Sequence, residues 1–310
     1  MSWPIIFAPL MLAFNMSSAA PIPQEVEAET KSESQAAPDI IDIGIDRQKR
    51  MTVPVSIDGN GPYKFMIDTG SERTVVTREL ADDLQLEFAA RARLLSVAGE
   101  KVVDTVYVPE LELGRQNYGE VVAPLLESRN VGAEGILGLD GLQDQRILFN
   151  FAESRIEVED RRKKRLNSGY EIVVYAKRRN GQLIFTDATI SGVRVSVVID
   201  TGSQANIGNR ALQEKLRGRK AKGLDLESSI TAVTGQVITA DAGIGRDFRI
   251  GKAQFDAISI AFADAPPFKA LGLDDKPALF LGMASLRGFD RMAIDFKKRR
   301  VYFDVVDARR

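Results

Sequence analysis

FMIDTGSERTVVTRELADDL, residues 65–84, and VVIDTGSQANIGNRALQEKL, residues 197–216, are two copies of one segment. Asp68 and Asp200 hold the same place in the two copies, and the same offset pairs Leu80 with Leu212 and Leu84 with Leu216. Thr77 and Asn209 share a position too, and both are residue types that cap a helix N-terminus. Further matches follow in the same order. SVAGEKV around Gly99 resembles TAVTGQV around Gly235; LELGRQNY with Gly114 resembles FRIGKAQF with Gly251. GILGLDGLQDQRILFNF with Gly138 resembles LFLGMASLRGFDRMAIDF with Gly282. The offset drifts only by small loop insertions, which is the pattern of duplication.

Each copy reads mostly as strands. Thr52 to Ile57 and Tyr63 to Asp68 flank the turn Asp58-Gly59-Asn60-Gly61, a hairpin signal. Val102 to Val108, Glu120 to Pro124 and Arg155 to Glu159 are further strand candidates, and one short helix, Arg78 to Leu84, follows the Asp-Thr-Gly turn. The expected fold is mostly β: two homologous, closed β-barrel-like lobes related by a pseudo-twofold axis, with one short helix each. The boundaries expected are 41–165 for the first lobe and 166–310 for the second.

Composition narrows the chemistry. The 310 residues contain no Cys and no His. That removes disulfides, thiol nucleophiles, thiolate-bound metals and every Ser-His or Cys-His couple. A formal net charge of −1 gives no bulk electrostatic reason to expect nucleic acid. The acidic pairs Asp82-Asp83 and Asp274-Asp275 lack a surrounding ligand series, so no metal and no cofactor is expected. Catalysis, if present, falls to carboxylates, hydroxyls, Lys, Tyr or a cofactor.

One Asp-Thr-Gly alone is a common turn sequence whose Asp satisfies local N–H groups. Here it occurs twice, after KFMI and after SVVI, each time followed by Ser and later by Ile136-Leu137-Gly138 or Phe280-Leu281-Gly282. Gly70 and Gly202 permit a backbone approach that a Cβ forbids. Two lobes around a pseudo-twofold can bring Asp68 and Asp200 face to face, where the pair shares one proton. One carboxylate then activates a water while the other, protonated, polarises a carbonyl.

This arrangement resembles the aspartic protease clan, in its retropepsin-like and pepsin-like branches, over roughly Met51 to Val305. The resemblance implies that Asp68 and Asp200 are catalytic, that the hydroxyls of Thr69 and Thr201 lock the two loops together, and that Gly138 and Gly282 pack beside them. It places flap hairpins at Gly99 and Gly235, either of which could cover substrate. Neither carries the flap tyrosine of pepsins or the glycine-rich tip of viral enzymes. It also implies that Ser71 and Ser203 donate to the outer carboxylate oxygens and hold the pH optimum on the acidic side. The activity implied is an endopeptidase on polypeptide substrate, monomeric, with both lobes in one chain. The alternatives are a non-catalytic peptide-binding module or an envelope assembly factor on the same fold.

Residues 1–20 carry no charge, and Ile5 to Phe14 is an apolar run followed by the small residues Ser18-Ala19-Ala20. That run is too short to span a bilayer, so no stable membrane span is expected; it fits a signal peptide, residues 1–20, although no Lys or Arg precedes it. A retained anchor is the alternative. Residues 21–40, poor in large apolar side chains, read as a disordered linker. The chain is thus expected to be exported, to a periplasm or the medium. The basic run Arg161 to Arg165 reads as a solvated linker, because its counterpart Lys297 to Arg300 falls at a hairpin turn.

Overall fold

The computed structural model describes residues 39–46, 50–142, 145–159, 170, 172–180, 182–219 and 226–305. The signal-peptide segment, almost all of the 21–40 linker and the 160–165 basic run lie outside the described residues. Asp39 and Ile40, the end of that linker, are already strand: Asp39–Asp42 pairs antiparallel with the strand Arg155–Glu159. Asp39 is held there because its carboxylate accepts from Arg115 Nε at 2.5 Å and Arg115 N at 2.7 Å.

The repeated sequence builds repeated sheets. In the first half the hairpin Met51–Ile57 and Asn60–Ile67 sits beside Gly135–Leu137, which runs parallel to the end of Asn60–Ile67. In the second half Ala278–Leu281 runs parallel to Ser196–Ile199 in the same way. Each arrangement extends to a ten-stranded sheet. A third sheet of six strands joins the halves, with Arg146–Asn150 pairing Phe289–Asp295 at its centre. The basic residues Lys297 to Arg299 do form the turn between Phe289–Asp295 and Arg300–Val305.

Two expectations need correction. The ten-stranded sheets are open: one edge of the first is Phe88–Ser96 and the other Gln116–Asn117, with no pairing between them. The hairpin Phe88–Ser96 with Gly99–Val108 forms that first edge, and its tip reaches the other half, where Val97 packs against the cluster of Ile184, Phe268 and Phe280. Each half also has three short helices among the described residues, not one. Arg78–Asp83 and Arg210–Gly218 are the expected ones, capped by the side chains of Thr77 and Asn209. The added ones are four or five residues long and carry no helical periodicity to read.

One apolar cluster runs through both halves, from Val53 and Phe65 through Phe149 and Ile156 to Val197 and Phe303. A half alone would expose its share of that cluster and the unpaired edge of its central strand. Calorimetry of the whole chain should therefore show one unfolding transition, and residues 41–165 alone should show none. Two resolved transitions would mean the halves are independently stable.

Candidate active site

Asp68 and Asp200 each follow the last residue of a buried strand. The backbone N–H of Asp68 donates to Leu137 O at 3.0 Å and that of Asp200 to Leu281 O at 3.0 Å, so the ladder holds both strand ends. The loop then folds back on the carboxylate. Gly70 N donates to Asp68 Oδ1 at 2.7 Å; Gly202 N and Ser203 N donate to Asp200 Oδ1, both at 3.1 Å. The two carboxyl groups lie together over Gly70, whose added Cβ would be 2.9 Å from Asp200 Oδ1 and 3.1 Å from Asp68 Oδ1. A methyl group on Gly202 would lie 2.2 Å from Asp68 Cγ, and one on Gly70 would lie 2.9 Å from Asp200 Oδ1. Glycine is required at both places because each carboxyl rests on the other loop's backbone.

The threonines cross between the loops. Thr69 N donates to Thr201 Oγ1 at 3.0 Å, and Thr201 N donates to Thr69 Oγ1 at 3.2 Å. Each hydroxyl in turn donates to the opposite strand, Thr69 to Ile199 O at 2.8 Å and Thr201 to Ile67 O at 2.9 Å. Both side chains are buried.

Gly138 and Gly282 lie against the same loops. A Cβ at Gly138 would meet Arg73 C and O at 2.4 Å; one at Gly282 would meet Ala205 O at 2.2 Å. Their neighbours tie down the loop carbonyls, as Leu139 N donates to Ser71 O and Met283 N to Ser203 O, both at 2.9 Å. Two supporting residues were not singled out in the sequence. Thr74 Oγ1 accepts from Gly138 N at 3.2 Å, and Asn206 Oδ1 accepts from Gly282 N at 3.0 Å. They are separated by the same offset as Asp68 and Asp200, so the repeat itself was the signal that could have found them. Asp140 completes the first loop, accepting from Thr74 N and Thr74 Oγ1 at 2.8 and 2.7 Å.

Ser71 and Ser203 do not do what the resemblance implied. Ser71 Oγ donates to Arg73 O and Ser203 Oγ to Ala205 O, both at 2.8 Å. A serine hydroxyl beside a turn has a carbonyl within reach in its own loop, and that local bond wins. The acidic optimum inferred from these hydroxyls loses its basis.

Burial sets the carboxyl chemistry instead. It pushes Asp200 up to about 8, helped by the negative charge of Asp68 and by Asp200 donating its proton to Asp68. Asp68 is also raised by burial, but the Gly70 N–H, Arg50 and the Ser71 N–H pull it back. Both carboxyls thus hold a proton more readily than isolated ones do, which favours one proton shared by the pair.

A cavity of about 860 Å³ opens beside this loop, walled by Gly70 to Arg73, by Ala92 to Leu95 of the first hairpin, and by Pro267 and Leu271 of the second half. Gln182 lines it, donating Nε2 to Gly70 O at 2.5 Å while its buried Oε1 has no partner among the described residues. Gly99 opens the second strand of the first expected hairpin and Gly235 lies in the turn of the second, with φ of +131° and +81°. Those turns touch: Ser96 Oγ is 3.3 Å from Thr234 Oγ1, and Lys101 Nζ donates to Thr234 O at 3.1 Å. Val233 packs on the cluster of Met66, Val131 and Ile136 in the first half, as Val97 packs on the second.

Replacing Thr69 or Thr201 by Val should cost about 1–3 kcal/mol each, since every such change strands a buried N–H and a buried carbonyl. Denaturant melts of the two variants test this; unchanged midpoints would show that the crossed bonds contribute little.

A family model described as aspartyl protease matches the chain in two segments, residues 53–140 and 186–284. No curated protein matches it. Each segment contains one Asp-Thr-Gly turn and its partner glycine, Gly138 or Gly282, and together they make up more than half the sequence. The chain belongs to the aspartyl protease family.

Proposed function

We propose that this chain is an aspartic endopeptidase in which the Asp68/Asp200 pair hydrolyses peptide bonds, with both lobes supplied by one chain acting as a monomer. The observation that carries the reading is the meeting of the two carboxyls across the paired loops, where a Cβ on Gly202 would lie 2.2 Å from Asp68 and one on Gly70 2.9 Å from Asp200, with both groups raised by desolvation. A water held between them loses a proton to the ionised carboxylate as it attacks, while the protonated carboxyl donates to the scissile carbonyl oxygen. The tetrahedral intermediate collapses when the amine leaves with a proton from the pair. The cavity between the loop and the first hairpin suits an extended segment of polypeptide.

The reading of residues 1–20 as an export signal supports placing the enzyme in a periplasm or the medium. Secretion from a bacterial host should give a product beginning at or near Pro21 by intact mass. Full-length chain recovered from the cytoplasm would refute export.

Asp68→Asn and Asp200→Asn should each abolish cleavage of denatured casein, with the double variant scarcely worse, because the pair acts as one unit. Substantial turnover by either single variant would defeat the dyad.

The pH dependence has a definite sign. The active pair carries one proton, so the rate should fall at low pH as Asp68 is protonated and fall again as pH rises through about 8 and Asp200 ionises. Stability is linked to the same group. Asp200 binds its proton more tightly folded than unfolded, where a carboxyl titrates near about 3.9. That stabilisation is whole below about pH 4 and is lost as pH rises through about 8. Asp200→Asn should flatten the decline of melting temperature over that range; an unchanged slope would show that Asp200 is not the group being ionised.

A further inference from the structure

The two copies differ at the ladder position opposite each catalytic carboxyl. Thr52 pairs with Met66, and continuing that register sets Arg50 opposite Asp68. Ile184 pairs with Val198, and continuing that register sets Gln182 opposite Asp200. Arg50 and Gln182 are separated by the offset of the catalytic residues themselves. The same place in the repeat thus holds a cation in one lobe and a neutral amide in the other.

Arg50 is 4% exposed and firmly fixed. Its Nε donates to Asp46 Oδ2 at 2.7 Å, its backbone N to Asp46 Oδ1 at 2.8 Å, and its guanidinium also to Val131 O. A buried arginine keeps its charge, because guanidinium does not deprotonate in proteins. Asp46 is its buried counter-ion, 2.6 Å away, so what reaches Asp68 is the field of an ion pair with its cation on the strand that adjoins Asp68.

We infer that Arg50 is a positioning residue that breaks the symmetry of the pair, holding Asp68 as the ionised base and leaving Asp200, opposite the neutral Gln182, as the proton donor. The inference rests on the peptidase reading for its roles of base and acid. The groups acting on Asp68 are Arg50, from the adjoining strand, and Asp200, from the opposite loop. The charged group acting on Asp200 is Asp68. Glu72, further along the loop, interacts with Arg73.

The test uses the purified protein labelled with 13C at the Asp carboxyls, followed by NMR across pH, together with the pH dependence of kcat/KM on denatured casein. In the unmodified protein Asp68 should ionise first. Asp46→Asn/Arg50→Gln removes cation and counter-ion together, so no buried charge is orphaned. It should raise both the Asp68 midpoint and the acid limb of the rate profile by about one pH unit and leave the alkaline limb nearly in place. Arg50→Lys should restore the acid limb. Gln182→Lys works from the other side: it adds a cation opposite Asp200 and should move the alkaline limb to lower pH. An Asp200 that ionises first in the unmodified protein would overturn the inference. So would an unmoved acid limb in the folded double variant, or an unmoved alkaline limb in folded Gln182→Lys. Should casein remain uncut while the NMR order holds, the peptidase reading fails and the charge assignment stands.

Discussion

Two carboxyl groups side by side, Asp200 buried and Asp68 half-buried, are an unfavourable arrangement, and much of this structure holds them there. Ionising both would set two like charges side by side in a poorly hydrated place, so the pair keeps one proton between them. The geometry must then be imposed by neutral groups. Leu137 and Leu281 carbonyls accept from the two Asp N–H groups, while Gly70, Gly202 and Ser203 N–H groups hold the carboxylate oxygens. The crossed bonds of Thr69 and Thr201 join the loops, so neither carboxyl can move away from the other without breaking buried hydrogen bonds.

The shared architecture follows from that contact. The six-stranded sheet and the continuous apolar cluster tie the halves together well behind the site. In front, Val97 and Val233 are exchanged between the halves at the hairpin tips. Polar bonds at those tips, Ser96 to Thr234 and Lys101 to Thr234, are fewer than those at the threonines, and the Lys101 bond is only partly buried. The hairpins are therefore the end of the interlobe contact that can yield at lower cost, and the cavity between Gly70 and Leu94 lies next to them.

Much of this was legible in the sequence because the repeat marks positions twice. The strands before Asp68 and Asp200, the caps at Thr77 and Asn209, and the glycines at 138 and 282 all fell at matched places. What escaped had other causes. Four-residue helices such as Leu139–Leu142 are too short to show a period. Barrel closure depends on whether the two edge strands meet, and Phe88–Ser96 and Gln116–Asn117 stay unpaired with each other for reasons no local pattern records. The hydroxyls of Ser71 and Ser203 had two possible acceptors, and only the folded loop shows that Arg73 and Ala205 carbonyls are nearer partners. Arg50 and Gln182 lie well upstream of the motif in the chain, and they become its neighbours only through strand pairing.

Carrying both copies in one sequence has a physical consequence at this site. Where two identical chains supply one Asp each, any residue placed beside one carboxyl is placed beside the other, and the two are intrinsically equal. Copies in one chain can diverge. Thr74 and Asn206 still do the same task with different groups, each accepting from its partner glycine. Asp140 and Ala284 have separated further, since Asp140 binds Thr74 where Ala284 can only donate its backbone N–H to Gln204 O. At Arg50 and Gln182 the divergence reaches charge. Acid–base catalysis needs one carboxyl ionised and one protonated at the same moment. On the proposed reading, a fixed cation on the Asp68 side would supply that inequality before substrate arrives, which a symmetric pair must acquire from the substrate itself.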